Sequence, residues 1–147
     1  MISKNIAPIP GNQTKYISLI YVQDLVKLIE KCIYNTKAKN KIFHATDENT
    51  YTINEFVQTI AKAMNKKCLT IKVPDNLIYK LAQTLEYFSS DNKDQILLNR
   101  QKALEIIQSS WLLDGTYTMK TLNFTPSNSL LENLKQTYIW YKLNNLI

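Results

Sequence analysis

The chain has 147 residues, is 45% hydrophobic and carries a formal charge of +6, enough apolar material for one domain with a core. Arg100 is its sole arginine and the lysines are scattered in ones and twos, which excludes the arginine-rich stripe of a nucleic-acid reader. Two cysteines (Cys32 and Cys68) and a single histidine (His44) leave no metal-ligand spacing and fit a reducing compartment; no apolar run reaches membrane-spanning length, and the first twelve residues lack a signal-peptide core. The expectation is a soluble cytoplasmic protein with neither nucleic-acid nor membrane partners.

In chain order, residues 1–15, with Pro8, Pro10 and Gly11, predict an irregular lead-in. Tyr16–Val22 is β-branched and aromatic and predicts a strand. Asp24 then stands where a helix begins, capping its exposed amides, ahead of Leu25, Leu28, Ile29, Cys32 and Ile33. Lys41–Thr46 (KIFHAT) is short and apolar, the pattern of a strand buried on both faces. Thr52 and Glu55 form a capping box before a helix carrying Ile53, Phe56, Val57, Ile60, Ala61 and Met64 on one face.

Cys68–Val73 alternates, with Leu69, Ile71 and Val73 to one side of a half-exposed strand. Pro74 opens a helix, since a first-turn proline forfeits no needed hydrogen bond; its inner face is expected at Leu77, Leu81, Leu85 and Phe88. Ser89–Lys93 breaks that helix, and Gln95–Gln108 resumes it around Ile96, Leu97, Leu104 and Ile107. Trp111–Asp114 reads as an extended link, Gly115 as a turn and Tyr117–Leu122 as a brief helix. After Pro126, Ser129 and Glu132 form a second capping box, and Leu130, Leu134, Tyr138 and Tyr141 stripe the last helix, which would close a core. Strand and helix alternate through the first half, which predicts parallel crossover units in one domain.

Chemistry is scarce. With only Gly11 and Gly115, neither a glycine-rich dinucleotide fingerprint nor a phosphate-cradling loop can be assembled. His44, between Phe43 and Ala45, reads as a hydrogen-bonded core imidazole or, less simply, a ligand contact. Tyr138 and Lys142 have Tyr-x-x-x-Lys spacing, but Tyr138 lies on the packing stripe and the spacing is read as chance. Trp111, Trp140 and Tyr141 are read as core before base-stacking groups. No catalytic, cofactor or metal residue is assigned. Arg100 is a candidate phosphate contact or a surface residue.

Four stretches, in order, resemble the C-terminal portion of the extended short-chain dehydrogenase/reductases, the NAD-dependent nucleotide-sugar epimerases and dehydratases: SLIYVQDLVKLI, KIFHATDENTYTINEFVQTIAKAM, IKVPDNLI and LNFTPSNSLLENLKQTYIWYKLNNLI. The resemblance runs from about residue 16 to the end. It implies an α/β fold, with partial Rossmann-type strand/helix units on the N-terminal side followed by a mainly helical substrate-binding portion. It also implies that the dinucleotide site and the catalytic Tyr-x-x-x-Lys lie in a portion preceding this chain. NAD(P) is then expected only with a complementary dinucleotide-binding chain, and a nucleotide sugar is the implied substrate. The family's phosphate-binding Arg falls at Ile17, which makes Lys15 the nearest cation; Lys15, His44 and Arg100 are the candidate substrate contacts. The competing expectations are a split or truncated epimerase/dehydratase, inactive alone, and a non-enzymatic binding or scaffold domain, or subunit of a larger complex.

Overall fold

A computed structural model describes residues 5–88 and 98–147. The strands are β1 (Ile6–Pro10), β2 (Tyr16–Ser18), β3 (Thr50–Thr52), β4 (Leu69–Val73) and β5 (Ser110–Trp111). The helices are α1 (Val22–Tyr34), α2 (Ile53–Ala63), α3 (Asp75–Phe88), α4 (Arg100–Ile106), α5 (Thr116–Leu122) and α6 (Leu130–Leu143). The α/β class is as expected, and strands form two small sheets, β1–β4 and β3–β2–β5. The β1–β4 and β2–β5 pairs are parallel, but neither joins two of the strands expected in the first half: β2 and β4 lie in separate sheets, and β3 runs antiparallel to β2.

The lead-in is not irregular. Ile6–Pro10 pairs with Leu69–Val73 in register. A proline has no N–H to give, so a proline-containing strand is tolerated where one edge needs no partner. Just beyond it, Gly11 has φ +84° and its N–H donates to the Val73 carbonyl at 2.8 Å. A Cβ there would stand 2.5 Å from Lys15 Cε, so both the left-handed backbone and the close approach call for glycine.

The strand expected over Tyr16–Val22 stops at Ser18, and helix α1 already begins at Val22. Asp24 is therefore not the cap; it lies in the first turn, its carboxylate taken elsewhere. Lys41–Thr46 forms no strand among the described residues and is not buried on both faces, because no ladder flanks it: Ile42 is 86% exposed and His44 is exposed too.

Both capping boxes form as expected. The Thr52 and Ser129 hydroxyls accept from the Glu55 and Glu132 amides, and each glutamate reaches back to its cap residue's amide. Helix α3 begins just after Pro74, but rotated from the expected orientation. Leu77, Leu81, Leu85 and Phe88 face outward, while Ile78 and Ala82 are inside with Ala103 of α4. Two alanines at 0% exposure let α3 and α4 approach closely, and that packing outweighs the leucine stripe. Leu69 and Ile71 of β4 are likewise uncovered. The expected helix break at Ser89–Lys93 and helix start at Gln95–Leu97 lie outside the described residues; α4 itself starts at Arg100.

A second core cluster joins Leu28 of α1, Leu122 of α5 and Phe124, with Ile20, Phe43 and Ala45 against it. Helix α6 packs on α2, yet its Ile139, Trp140, Tyr141 and Leu143 are exposed, so it closes less than a lid would.

Candidate functional site

The three candidate substrate contacts lie apart, each with a partner. Lys15 follows the Gly11 turn and is 6% exposed. Its ammonium stands 3.3 Å from Asp75 Oδ1 at the start of α3 and donates to the Ile106 carbonyl at the end of α4, 3.2 Å away. It lines a pocket of about 220 Å³ with Tyr16, Ile17, Ser110, Trp111 and Glu105. An anion entering there would compete with Asp75 and meet Glu105.

Arg100 clasps the other end of the same helix pair. Its Nε and Nη2 donate to Glu86 Oε2 and Oε1, both at 3.1 Å, and its amide donates to the same carboxylate at 3.1 Å. Glu86, by hydrogen bond and charge, raises the guanidinium's pKa further. Asp75 and Glu86 are eleven residues apart on α3, about 16 Å at helical rise, so Lys15 and Arg100 cannot grip one phosphate. His44 is exposed, contrary to a core imidazole, although a hydrogen bond is present: Nδ1 lies 3.2 Å from the Asp114 carbonyl, to which the Nδ1-protonated ring donates.

Tyr138 and Lys142 do not form a reactive pair. The Lys142 ammonium sits 5.4 Å from the Tyr138 ring centroid, over the π-face. Trp111, Trp140 and Tyr141 are exposed instead of core. Trp140 and Tyr141 meet edge to face at 5.3 Å.

Two polar clusters escaped the sequence reading. Asp24, 1% exposed, accepts from the Ser127 hydroxyl at 2.6 Å and the Ser127 amide at 3.2 Å, with Lys27 Nζ at 3.4 Å. Burial pushes its pKa up, but the Ser127 and Lys27 hydrogen bonds overcome this and hold it below the ordinary 3.8. Asp47 accepts from the Tyr51 hydroxyl at 3.0 Å and the Asn49 amide at 2.8 Å. Burial still raises its pKa, and burial together with Asp47 pushes the Tyr51 phenol up to about 12. Ser127 is 103 residues from Asp24, so no local spacing could announce that contact.

Asp47 and Asn133 help line a groove of about 810 Å³ whose walls are otherwise mostly apolar: Ile20, Phe56, Leu134 and Trp140. The Asn133 Oδ1 is buried without a hydrogen-bond partner. The groove holds one carboxylate with a raised pKa and no nucleophile–base pair.

The β2–α1 turn does not fit a dinucleotide's pyrophosphate. The first turn of α1, where a pyrophosphate would seek bare amides, holds the buried Asp24 carboxylate, and no glycine precedes it in the β2–α1 link.

These features define a Rossmann-like α/β unit similar to part of the extended short-chain dehydrogenase/reductases of the epimerase/dehydratase class, as the four sequence stretches suggest. In particular, the chain is 32% identical over 139 residues to a UDP-glucose 4-epimerase of Vibrio cholerae, a match that takes in 93% of this chain and 38% of that protein. The chain thus spans well under half the length of this curated relative. Solved structures share the fold: UDP-glucose 4-epimerase of Thermotoga maritima with UDP-glucose has a TM-score of 0.65 at 17% identity, over 98% of this chain and 37% of that one. UDP-glucuronic acid 4-epimerase of Bacillus cereus with NAD has a TM-score of 0.62 at 13% identity, over 97% and 36%. No family model matches the sequence. Among the described residues no helix is long and apolar enough to cross a membrane.

Proposed function

We propose that this chain, acting as one domain, is the substrate-side portion of an NAD(P)-dependent nucleotide-sugar epimerase or dehydratase, inactive until a dinucleotide-binding partner completes it. The observation that carries this reading is the uncovered apolar surface: Val26, Ile33, Ile42, Leu81 and Trp140 are exposed on a chain whose sequence is similar to part of a UDP-glucose 4-epimerase. Lys15, beside Trp111, is the candidate for holding a nucleotide-sugar phosphate once a partner reshapes the pocket; His44 and Arg100 would join only by giving up the Asp114 carbonyl and Glu86. The dinucleotide and the proton-transferring groups belong to the partner. Cytoplasmic residence goes with this reading.

Calorimetry of the purified chain with NADH tests it. The expected result is no binding at micromolar concentration and no oxidoreductase or epimerase turnover. Micromolar NADH affinity in the lone chain overturns the reading.

A further inference from the structure

The groove of about 810 Å³ along α6 is opposite in charge to the chain as a whole. The chain carries +6, yet among the described residues Asp47 is the sole acidic or basic side chain in the groove's walls. Its two oxygens accept from the Asn49 amide and the Tyr51 hydroxyl, both neutral donors. It enters none of the ion pairs found among the described residues. A carboxylate offers about four acceptor sites, so roughly two remain open here. Burial raises the pKa of Asp47, and the charges that reach it, Glu48 and Asp24, are carboxylates that raise it further. The group that would offset all of this is a cation.

Asn133, on α6, repeats the shortage of donors. The residue is 8% exposed, and its Oδ1 is buried without a hydrogen-bond partner. Nearby polar groups in the walls are already engaged. Gln136 Oε1 accepts from the Tyr21 hydroxyl at 3.0 Å, and the Thr137 hydroxyl donates to the Asn133 main-chain carbonyl at 2.8 Å. The remaining walls are mostly apolar and aromatic: Phe56 of α2 and Leu134 are half-buried, and Trp140 and Tyr141 are exposed. An aromatic face attracts a cation through its ring quadrupole, more strongly as the cation loses water. The volume lies within the roughly 300–1,000 Å³ of small-molecule sites.

We propose that the α6 groove is a binding site for a small organic cation, a primary ammonium on an apolar body. The ammonium donates to Asp47, and the body lies against Phe56, Leu134 and Trp140. Charge selects this occupant. A purely apolar molecule would strip water from Asp47 and leave it unpaired, which opposes binding. A nucleotide sugar would set its phosphates against Asp47, with Glu48 and Asp24 adding repulsion and no wall cation to relieve it. The groove is therefore separate from the Lys15 pocket, and the inference goes beyond the proposed function without depending on it.

Heteronuclear NMR titration of the full chain tests this, with phenylbutylamine as the probe. Submillimolar binding is expected, with the Trp140 indole and Asn133 side-chain amide resonances shifting together. Phenylbutanol, of the same shape without the charge, and phenylbutyrate, of opposite charge, should bind roughly tenfold more weakly or worse. Asp47→Asn should weaken the amine about tenfold and leave phenylbutanol unchanged, a split that misfolding would not produce. Trp140→Leu, at a position 55% exposed and so neutral for folding, should also weaken the amine. Phenylbutanol binding as tightly as the amine overturns the role of the ammonium. An amine held equally well by Asp47→Asn, or one that leaves Trp140 unmoved, overturns the site. Displacement of the amine by UDP-glucose overturns its separation from the Lys15 pocket. No binding of the amine at millimolar concentration overturns the proposal outright.

Discussion

Along one side of α1, Asp24 and Leu28 are sealed from solvent; along the other, Val22, Val26, Ile29 and Ile33 lie open. The helix is amphipathic, with Gln23, Lys27, Glu30 and Lys31 on its polar face, and Leu28 and the open residues belong to one apolar arc. The sealed side is stitched to the far end of the chain, through Ser127 to Asp24 and through Leu122 and Phe124 to Leu28. The open side is only partly covered, its four residues between 51% and 71% exposed. An apolar arc that runs from Leu28 to Val26 needs cover along its whole breadth, and the described residues cover only part of it.

Variants on the two sides should therefore differ sharply in stability. Phe124→Ala removes the largest side chain of the sealed cluster and is expected to cost about 3–5 kcal/mol, enough to unfold much of the population, read by urea titration followed by circular dichroism.

Asp24→Asn comes next, with an expected loss of about 1.5–3 kcal/mol at pH 7, because the Ser127 and Lys27 bonds lose their charged acceptor. Its pH dependence sharpens the comparison. Asp24's folded pKa lies below the unfolded value of 3.8, so its contribution is fully present above 3.8 and is lost as pH falls through the folded pKa. The gap between wild type and variant should hold from pH 7 to about 5 and close below 3.8 in urea titrations run at each pH. A gap that persists at low pH would mean that shape, not charge, holds the clasp.

Ser129→Ala, which opens one capping box, should lower stability by about 1 kcal/mol, with fraying confined to the first turn of α6 in hydrogen exchange. Ile29→Gln on the open side should change stability by less than about 0.5 kcal/mol while reducing hydrophobic-dye fluorescence. A loss comparable to that of Phe124→Ala would show that the open side is covered after all.

The boundaries of α2, α3 and α6 were legible because their signals are local: a hydroxyl three residues before a glutamate, or a proline at a first turn. Three errors share one cause. The lead-in became β1, the leucine face of α3 turned outward, and KIFHAT stayed unpaired, since a strand or a buried face exists only by virtue of what lies beside it. Ile6–Pro10 is a strand because Leu69–Val73 runs alongside it. Leu81 is exposed because Ala82 and Ala103 permit the tighter packing. At the candidate site, the sequence singled out Lys15, His44 and Arg100 but not the groups that occupy them, Asp75, the Asp114 carbonyl and Glu86, which lie 60, 70 and 14 residues away.

By itself, then, the sequence determined the two capping boxes, the lack of a glycine-rich dinucleotide loop and the likeness to the epimerases, all of which depend on residue type and short spacing. Only the tertiary structure decided that Asp24 is a clasp to Ser127 instead of a cap, that Gly11 must be glycine to let Lys15 pass, and that one side of α1 is finished while the other is open. Burial and pairing are properties of neighbours brought together across 60 or more residues, and no periodicity along the chain encodes which neighbours arrive.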